Sequence, residues 1–438
     1  MNAPPSSNPQ QDFSGYREFT RELRALAVAP KIDGDKAKRV AACLDGIAGA
    51  ELRRLVGLET RRAQGVFFTG SKLAEKLFGS LTFDLRAHFI YDPAVGAADL
   101  LLAVARRLPI ARSLSATLKA WGGCLAGTDL QPEFIEAAKF RLALLARQRH
   151  GGIAKLPPGW RKLFPFIRVG DGLKQHKLYA RATHLAMNPP FSTSDPTGDC
   201  QWKGGRISDA AMFVVRALEH SRPGTRLLAV LPDVLRSGSF QHHWRERVSD
   251  LAEVCSVKHH GIFDDFADVD VFRLDVLRRA GTDARLRRWP KQRTRANGTV
   301  GDHFDVHVGR VVPHRDPETG PEHPYIHPRC VPVWTEMRSF TERRRHAGMV
   351  YRAPFVVLRR TSRPGHPYRA TATVIGGDAA VAVENHLIVC EPRDGKVTTC
   401  RKLMRQLQTE RANEFLNQRI RCRHLTVGAV EAIPFAPL

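Results

Sequence analysis

The residues best suited to chemistry stand together in Asn188-Pro189-Pro190-Phe191, at the end of the short apolar run from Thr183 to Met187. The two prolines fix φ, lack N–H donors and keep the residue before each of them out of the helical region, so the chain leaves its strand in a stiff, extended loop. In such a loop the Asn188 side-chain carbonyl and the Pro189 backbone carbonyl are claimed by no ladder. Together they can accept both hydrogens of an amino group, while Phe191 offers a flat face to a planar ring. The chemistry implied is recognition of an exocyclic amine. The competing reading of the tetrapeptide is a turn with a core phenylalanine behind it.

Four short strands must position this loop. Residues 88–91 read as a buried strand, followed by the small-residue loop Asp92-Pro93-Ala94-Val95-Gly96-Ala97-Ala98-Asp99 and a helix over 100–108. Strand, loop and helix in that order open a doubly wound sheet, whose ligands sit at the carboxyl ends of the strands, and small side chains let the backbone approach a ligand closely. A second strand, 124–128, ends in Asp129, and Pro132 starts a helix reaching about residue 148. A carboxylate at this tip either holds ribose hydroxyls or caps the helix. A third strand, 166–169, runs into Gly170-Asp171-Gly172, and the fourth ends in Asn188. Upstream, Thr69 or Ser71 stands at the start of a helix over 72–78, as an N-cap or as a ligand group. Downstream the pattern predicts a helix over 208–221, a fifth strand over 225–231, a helix over 240–251, a loop over 261–266 and a late strand over 269–277.

Asp92, Asp129, Asp171 and Asn188 thus close four successive strands. This constellation resembles the S-adenosylmethionine-dependent DNA adenine-N6 methyltransferases of bacterial restriction-modification and related defence systems. Within them it resembles the gamma class, where cofactor loops precede an Asn-Pro-Pro-aromatic motif and a target-recognition domain follows. The resemblance covers roughly residues 61–280. It implies that Phe68 and Thr69 touch the methionine part of the cofactor and that Asp92, Ala94 and Gly96 form the loop beneath it. Asp129 would hold the ribose, Leu130 would pack on the adenine and Asp171 would bind the adenine amino group. Asn188, Pro189, Pro190 and Phe191 would form the catalytic loop, and Phe266 would bring a second aromatic ring to the target base. Three positions depart from the family pattern: Gly70 where proline is common, Ala98 where glycine is common, and Phe191 in place of the commoner tyrosine. If Ala98 adopts positive φ, the cofactor loop carries strain.

Bulk properties agree with a nucleic-acid partner. The 438-residue chain has a formal charge of +24 and a pI near 10.3, which favours a polyanion, with an anionic membrane surface second. No apolar run approaches a membrane span, and a soluble, cytoplasmic protein is expected. The eight cysteines are widely spaced, which speaks against zinc and against a disulfide framework, and no metal is expected.

The sequence divides into a disordered start and helical lead-in over 1–60, a methyltransferase domain over 61–280, and a basic linker with a DNA target-recognition domain over 281–438. In the last, strands are predicted over 353–360, 369–375 and 386–389, with a helix over 398–415. Arg343, Arg344, Arg345, Arg359, Arg360, Arg363 and Arg369 are candidates for phosphate or guanine contacts. The fold class expected is α/β, a Rossmann-like methyltransferase sheet with a C-terminal mixed α+β target-recognition domain.

The function expected is transfer of a methyl group from S-adenosylmethionine to N6 of an adenine in duplex DNA, with the base flipped out because its amine is inaccessible within the stack. A restriction-modification or phage-defence setting is implied, with a separate restriction or defence subunit as a further partner, since no P-loop or nuclease cluster is found. An RNA adenine, a protein glutamine amide, and a DNA-binding subunit with a decayed cofactor site remain the alternatives.

Overall fold

The computed structural model describes residues 13–79, 81–195, 206–238, 241–264, 267–281, 289, 298–363, 366–420 and 423–435. The expected disordered start at 1–12, most of the basic stretch 281–300 and Phe266 lie outside them. Contacts divide the chain into two units, Met1–Leu235 with His243–Pro290, and Arg236–His242 with Lys291–Leu438.

The first unit is built on seven strands: β1 (Ile90–Asp92), β2 (Leu125–Asp129), β3 (Ile167–Val169), β4 (His184–Met187), β5 (Arg226–Pro232), β6 (Ala252–Asp264) and β7 (Ala267–Arg278). Their order is β3-β2-β1-β4-β5-β7-β6, parallel from β3 to β5 and antiparallel at β7 and β6. Side chains alternate between two cores, as the two-residue period of a strand requires. Ile90, Ala186, Leu228 and Val230 face one core, while Tyr91, Leu185, Met187, Leu227 and Leu231 face the other. Both faces are therefore apolar, which explains the short, almost unbroken hydrophobic runs in the sequence.

Strand β6 is the main element the sequence pattern missed, and it corrects the loop expected over 261–266 as far as Asp264, residues 265–266 lying outside the described residues. Its pairing with β7 shifts register near Val254, His259 and Ile262, so the alternation that marks a strand is broken three times. Residues 261–264 are strand, and Asp264 pairs with Ala267 of β7. A helix over Leu114–Cys124, capped by Ser113, also went unpredicted.

The lead-in helices α1 (Arg17–Val28), α2 (Gly34–Leu44), α3 (Ile47–Leu55) and α4 (Leu58–Ala63) pack into the same core as the sheet, through Phe19, Leu23, Val40 and Leu52. They are followed by α5 (Ser71–Phe78), α6 (Asp99–Arg107), α7 (Leu114–Cys124) and α8 (Pro132–Arg149). Helix α8 carries two arginines with no exposed surface to speak of. Arg147 donates to the carbonyls of Ala27 (2.8 Å) and Ala29 (2.9 Å) at the end of α1, and Arg141 donates to Cys43 O (2.8 Å) at the end of α2. Cations at helix C-termini satisfy carbonyls that have no partner within the helix and complement the dipole. The opposite face of the sheet is covered by α9 (His176–Arg181), α10 (Asp209–His220) and, beyond α11 (Asp233–Ser237), by α12 (His242–Leu251).

The second unit holds a five-stranded sheet of Phe304–Val308, Leu387–Pro392, Phe355–Arg359, Ala372–Ile375 and Glu336–Met337 in that spatial order. A four-stranded sheet of Arg343–Arg345, Glu322–Ile326, Ala380–Val383 and Tyr351–Arg352 accompanies it. The single helix expected over 398–415 is two, Val397–Leu407 and Glu410–Arg419, because Thr409 breaks the run and caps the second. The fold is α/β, with a largely parallel central sheet and an additional mixed unit.

Candidate active site

The parallel strands end together, and their tips build a pocket. Asp92 ends β1 and is almost fully buried, with its carboxylate accepting from Ala94 N–H at 3.0 Å. The loop that follows is held by Val95 N–H to Thr128 O (3.0 Å) and by Gly96 N–H to the Asp129 carboxylate (3.0 Å). The second Asp129 oxygen accepts from Gln131 N–H at 3.0 Å. Asp129 therefore spends part of its accepting capacity on the loop and the start of α8, as a capping residue would, and keeps lone pairs for a ligand. Asp99, in the first turn of α6, accepts from Gly70 N–H (2.9 Å) and from Arg141 (2.8 Å).

Burial sets the electrostatics here. It pushes the Asp92 carboxyl up to about 8, with the charges of Asp129 and Asp99 adding to the rise and the Ala94 N–H opposing it. Burial likewise raises Asp129 to about 6, against three backbone N–H groups that favour the charged form.

The two departures near this loop have separate outcomes. Gly70 adopts φ 67° and donates its N–H to Asp99, neither of which proline can do, so glycine here is a requirement of the geometry. Ala98 adopts φ 71°, a left-handed conformation that costs about 1 kcal/mol or more for a residue with a Cβ. Ala98→Gly is expected to change stability by less than about 1 kcal/mol, because strain relief and the loss of a buried methyl nearly cancel, whereas the β-branched Ala98→Val is expected to lose more than about 2 kcal/mol. Urea unfolding of the two variants checks this; a valine as well tolerated as glycine would refute the strained backbone.

The Asn188 loop is fastened to the segment before α5. Asn188 Nδ2 donates to Phe67 O (2.8 Å), Phe191 N–H donates to Gly65 O (3.2 Å) and Ser192 Oγ lies 3.3 Å from Gln64 O. On its other side the loop is tied to α10, where the Asp209 carboxylate accepts from Ser192 Oγ and from Ser194 Oγ at 2.6 Å. The bond to Phe67 O fixes which way the amide faces, since a carbonyl cannot accept from another carbonyl. Asn188 Oδ1 consequently makes no hydrogen bond, and it is shielded from water. An unpaired buried acceptor is a cost of about 1–3 kcal/mol unless a ligand supplies the donor.

Three phenylalanine rings stand at this loop: Phe67 and Phe191 at 6.0 Å, Phe67 and Phe263 at 6.3 Å, and Phe191 and Phe263 at 5.6 Å between centroids. The pocket between the strand tips and the 65–69 segment has about 460 Å³ of empty space including its mouth. It is lined by Phe68, Thr69, Asp92, Ala94, Gly96, Asp129 and Asn188 among others.

Most residues expected in the site are thus brought together, Pro190 also lining the pocket. Leu130 and Asp171 do not line it. Leu130 is 62% exposed beside Asp129, an unusual position for a large apolar side chain, and Asp171 caps the turn at Leu173 (3.0 Å). Gly172, next to Asp171, lies so close to Pro93 O that a Cβ would stand 1.9 Å from it, so the β3 tip abuts the β1 loop. Among the described residues, the aromatic residue from the β6 end that meets Phe191 is Phe263. Sequence reasoning also missed the Gln64–Phe67 segment and Asp209, for which the only local signals were Gly65 and an acidic residue opening a helix.

In the second unit the arginine candidates divide. Arg344 and Arg369 are buried and engaged within the chain: Arg344 bonds Glu318 (2.8 Å) and Asp316 O, and Arg369 bonds Ser362 and Ile420 O. Burial leaves neither guanidinium accessible to a phosphate or a base. Arg359 and Arg360 are half-buried and donate to the backbone of Val331 and Asn385. Arg343, Arg345 and Arg363 are exposed, Arg343 being paired with Glu322.

Neither a protein family nor a curated protein matches the chain. Solved structures do. The chain is similar to the type IIL restriction-modification enzyme MmeI in complex with DNA, at 10% identity over 90% of this chain and 70% of that one, with a TM-score of 0.54. A modification subunit of a putative type I restriction enzyme from Vibrio vulnificus YJ016 matches at 16% identity over 51% of this chain, with a TM-score of 0.38. The type IIG restriction endonuclease BpuSI matches at 12% identity over 90% of this chain and 60% of its own, with a TM-score of 0.40. The chain spans about half, 48%, of the Vibrio vulnificus subunit. At these identities the likeness is one of fold, and of these three the MmeI match is the one that bears on it.

Proposed function

We propose that the chain is a DNA methyltransferase of a restriction-modification or related defence system, acting on N6 of an adenine flipped out of duplex DNA. The observation that carries this reading is the Asn188 amide, whose nitrogen is committed to Phe67 while its buried oxygen waits without a donor. When bound, S-adenosylmethionine supplies an activated methyl group on a sulfonium.

The residues present fit that cofactor. The loop from Asp92 to Asp99 offers buried carboxylates and a close backbone approach, Asp129 retains lone pairs for ribose hydroxyls, and exposed Leu130 provides an apolar surface for a purine. Phe68 and Thr69 form the facing wall, with Asp171 at the neighbouring strand tip. Asn188 Oδ1 and the Pro189 carbonyl would accept the two N6 hydrogens, drawing the nitrogen lone pair out of ring conjugation. Phe191 and Phe263 would hold the base by stacking and edge contacts. Because Oδ1 is shielded from water, admitting a base requires the atoms that cover it to move. Positioning and hydrogen bonding of the developing tetrahedral amine carry the catalysis.

Duplex DNA is the proposed partner, with the second unit as the recognition element and Arg343, Arg345 and Arg363 as its candidate contacts. A separate restriction subunit is the further partner proposed. The decisive experiment is methyl transfer from labelled S-adenosylmethionine to duplex DNA with identification of the modified base; a product other than N6-methyladenine redirects the assignment. Asp129→Ala is expected to weaken S-adenosylmethionine binding by about 1.5–3 kcal/mol, the range for hydrogen bonds to a charged group. Unchanged affinity by calorimetry would remove Asp129 from the ligand contacts.

A further inference from the structure

Three metal-ligating side chains of different types meet in the second unit. His327, Cys330 and Glu342 each bring one donor atom, and the three atoms lie within 4.8 Å of one another. Two features of the fold bring them there. Strand Glu322–Ile326 pairs antiparallel with Arg343–Arg345, and the ladder runs on to Tyr325 N–H, which donates to Glu342 O at 2.9 Å. Glu342 thus stands beside the end of that strand, where His327 Nε2 lies 2.9 Å from its carboxylate. The chain then folds back in a turn, closed by Cys330 N–H to His327 O (3.2 Å) and by His327 N–H to Cys330 Sγ (3.2 Å). Buried Ile326 and Val331 anchor the turn on either side, and Pro328 stiffens it.

We infer that His327, Cys330 and Glu342 form a zinc site, with water in the fourth position. An imidazole nitrogen, a thiolate and a carboxylate are all zinc ligands, and the sulfur disfavours magnesium and calcium. Around a tetrahedral zinc, with bonds of about 2.0–2.3 Å, ligand atoms stand about 3.3–3.8 Å apart, so side-chain movements of about 1 Å close the set.

The protons balance. Arg329 N–H donates to His327 Nδ1 (3.2 Å), so the neutral ring carries its hydrogen on Nε2, directed at Glu342. Zinc takes the place of that hydrogen: the ring's proton passes to Nδ1, the N–H of exposed Arg329 turns to water, and the Cys330 thiol gives its proton to solvent. The His327 N–H stays on the sulfur, which favours the thiolate. Cysteine spacing alone hides such a site, because its ligands are of three types and one comes from the neighbouring strand. Bound zinc ties the turn 327–330 to the strand that carries Arg343 and Arg345. The site does not depend on the function proposed above.

The test uses the full chain without a histidine tag, stripped of metal by a chelator under reducing conditions and titrated with cobalt(II) as a coloured stand-in for zinc. A thiolate-to-cobalt charge-transfer band is expected, saturating at one equivalent and abolished when zinc displaces the cobalt. Cys330→Ser is expected to remove the band, and Cys255→Ser, at a partly buried cysteine outside the cluster, to leave it intact. The other such cluster among the described residues, His242, His243 and Glu246, is exposed and lacks sulfur, so a metal held there gives no such band. Partners that only orient a metal ligand are worth about 10–100-fold in affinity, so loss of a ligand in His327→Ala is expected to weaken zinc binding about a hundredfold or more. Glu342→Gln leaves an acceptor for the Nε2 hydrogen at an exposed position, which protects the fold, and is expected to weaken zinc binding about tenfold or more. Absence of the band in the unaltered chain overturns the site, as does a band that survives Cys330→Ser or an unchanged zinc affinity in Glu342→Gln. The unaltered chain and Glu342→Gln decide the matter even if Cys330→Ser does not fold.

Discussion

Asn188→Ala is expected to lower methyl transfer by two or more orders of magnitude while S-adenosylmethionine affinity stays within a few fold. The basis is the split personality of the amide: Nδ2 positions it on Phe67 O, and Oδ1 is held ready at 0 hydrogen bonds. Losing one acceptor that strengthens as the amine becomes tetrahedral costs about a hundredfold or more in turnover. Stability should move differently. Removing an unpaired buried acceptor relieves about 1–3 kcal/mol, and losing the bond to Phe67 O takes back about 1 kcal/mol, so the variant should unfold at a denaturant concentration equal to or above that of the parent. The two readings together are demanding: a variant that is both less stable and fully active would put Asn188 among ordinary structural residues.

Gly65→Ala is expected to be nearly as damaging, for a steric reason. Gly65 has φ 61°, and a Cβ there would stand 2.4 Å from Ser192 N and 2.5 Å from Phe191 N. Those atoms are backbone of the Asn188 loop and cannot rotate away. The variant must displace that loop or open the contact, with a loss of about 2–4 kcal/mol from left-handed strain and overpacking. A displacement of about 1 Å at the reacting groups is enough to lower turnover about a hundredfold. Gly123→Ala is the matched control, since it lies in α7 with open space around it and should be neutral or stabilising. Equal effects of the two substitutions on turnover would show that the clamp between the two loops does not position Asn188.

What the sequence revealed and what it hid follow from the range of the interactions involved. Asp92, Asp171 and Asn188 were legible because each closes a short strand-like run and is followed at once by proline or glycine, and Asp129 because it closes such a run three residues before the helix-starting Pro132, all local signals. The clamp between Gln64–Phe67 and Asn188–Ser192 joins segments more than a hundred residues apart, and nothing at either end announces the other. Phe263 went unnoticed because β6 carries bulges and polar residues that hide its alternation, so its end was read as a loop, while Phe266 lies outside the described residues. The arginine run 343–345 shows the same blindness on a smaller scale: in a strand whose three side chains are identical, the buried middle one cannot be told from its exposed neighbours.

The arginines of α8 bear on how proteins of this build can exchange parts. Arg141 and Arg147 reach across to carbonyls of α1 and α2 from a position more than ninety residues later in the chain. A hybrid that joined to this sheet a lead-in whose helices end elsewhere would leave these donors facing no free carbonyl, and a buried guanidinium deprived of its partners costs about 3–5 kcal/mol. Two such groups would consume most of the stability of an ordinary domain. Viable crossovers are therefore confined to points that keep residues 13–149 in one piece. The first sixty residues travel with the central sheet as heritable freight, and exchange of parts between lineages must take place farther along the chain.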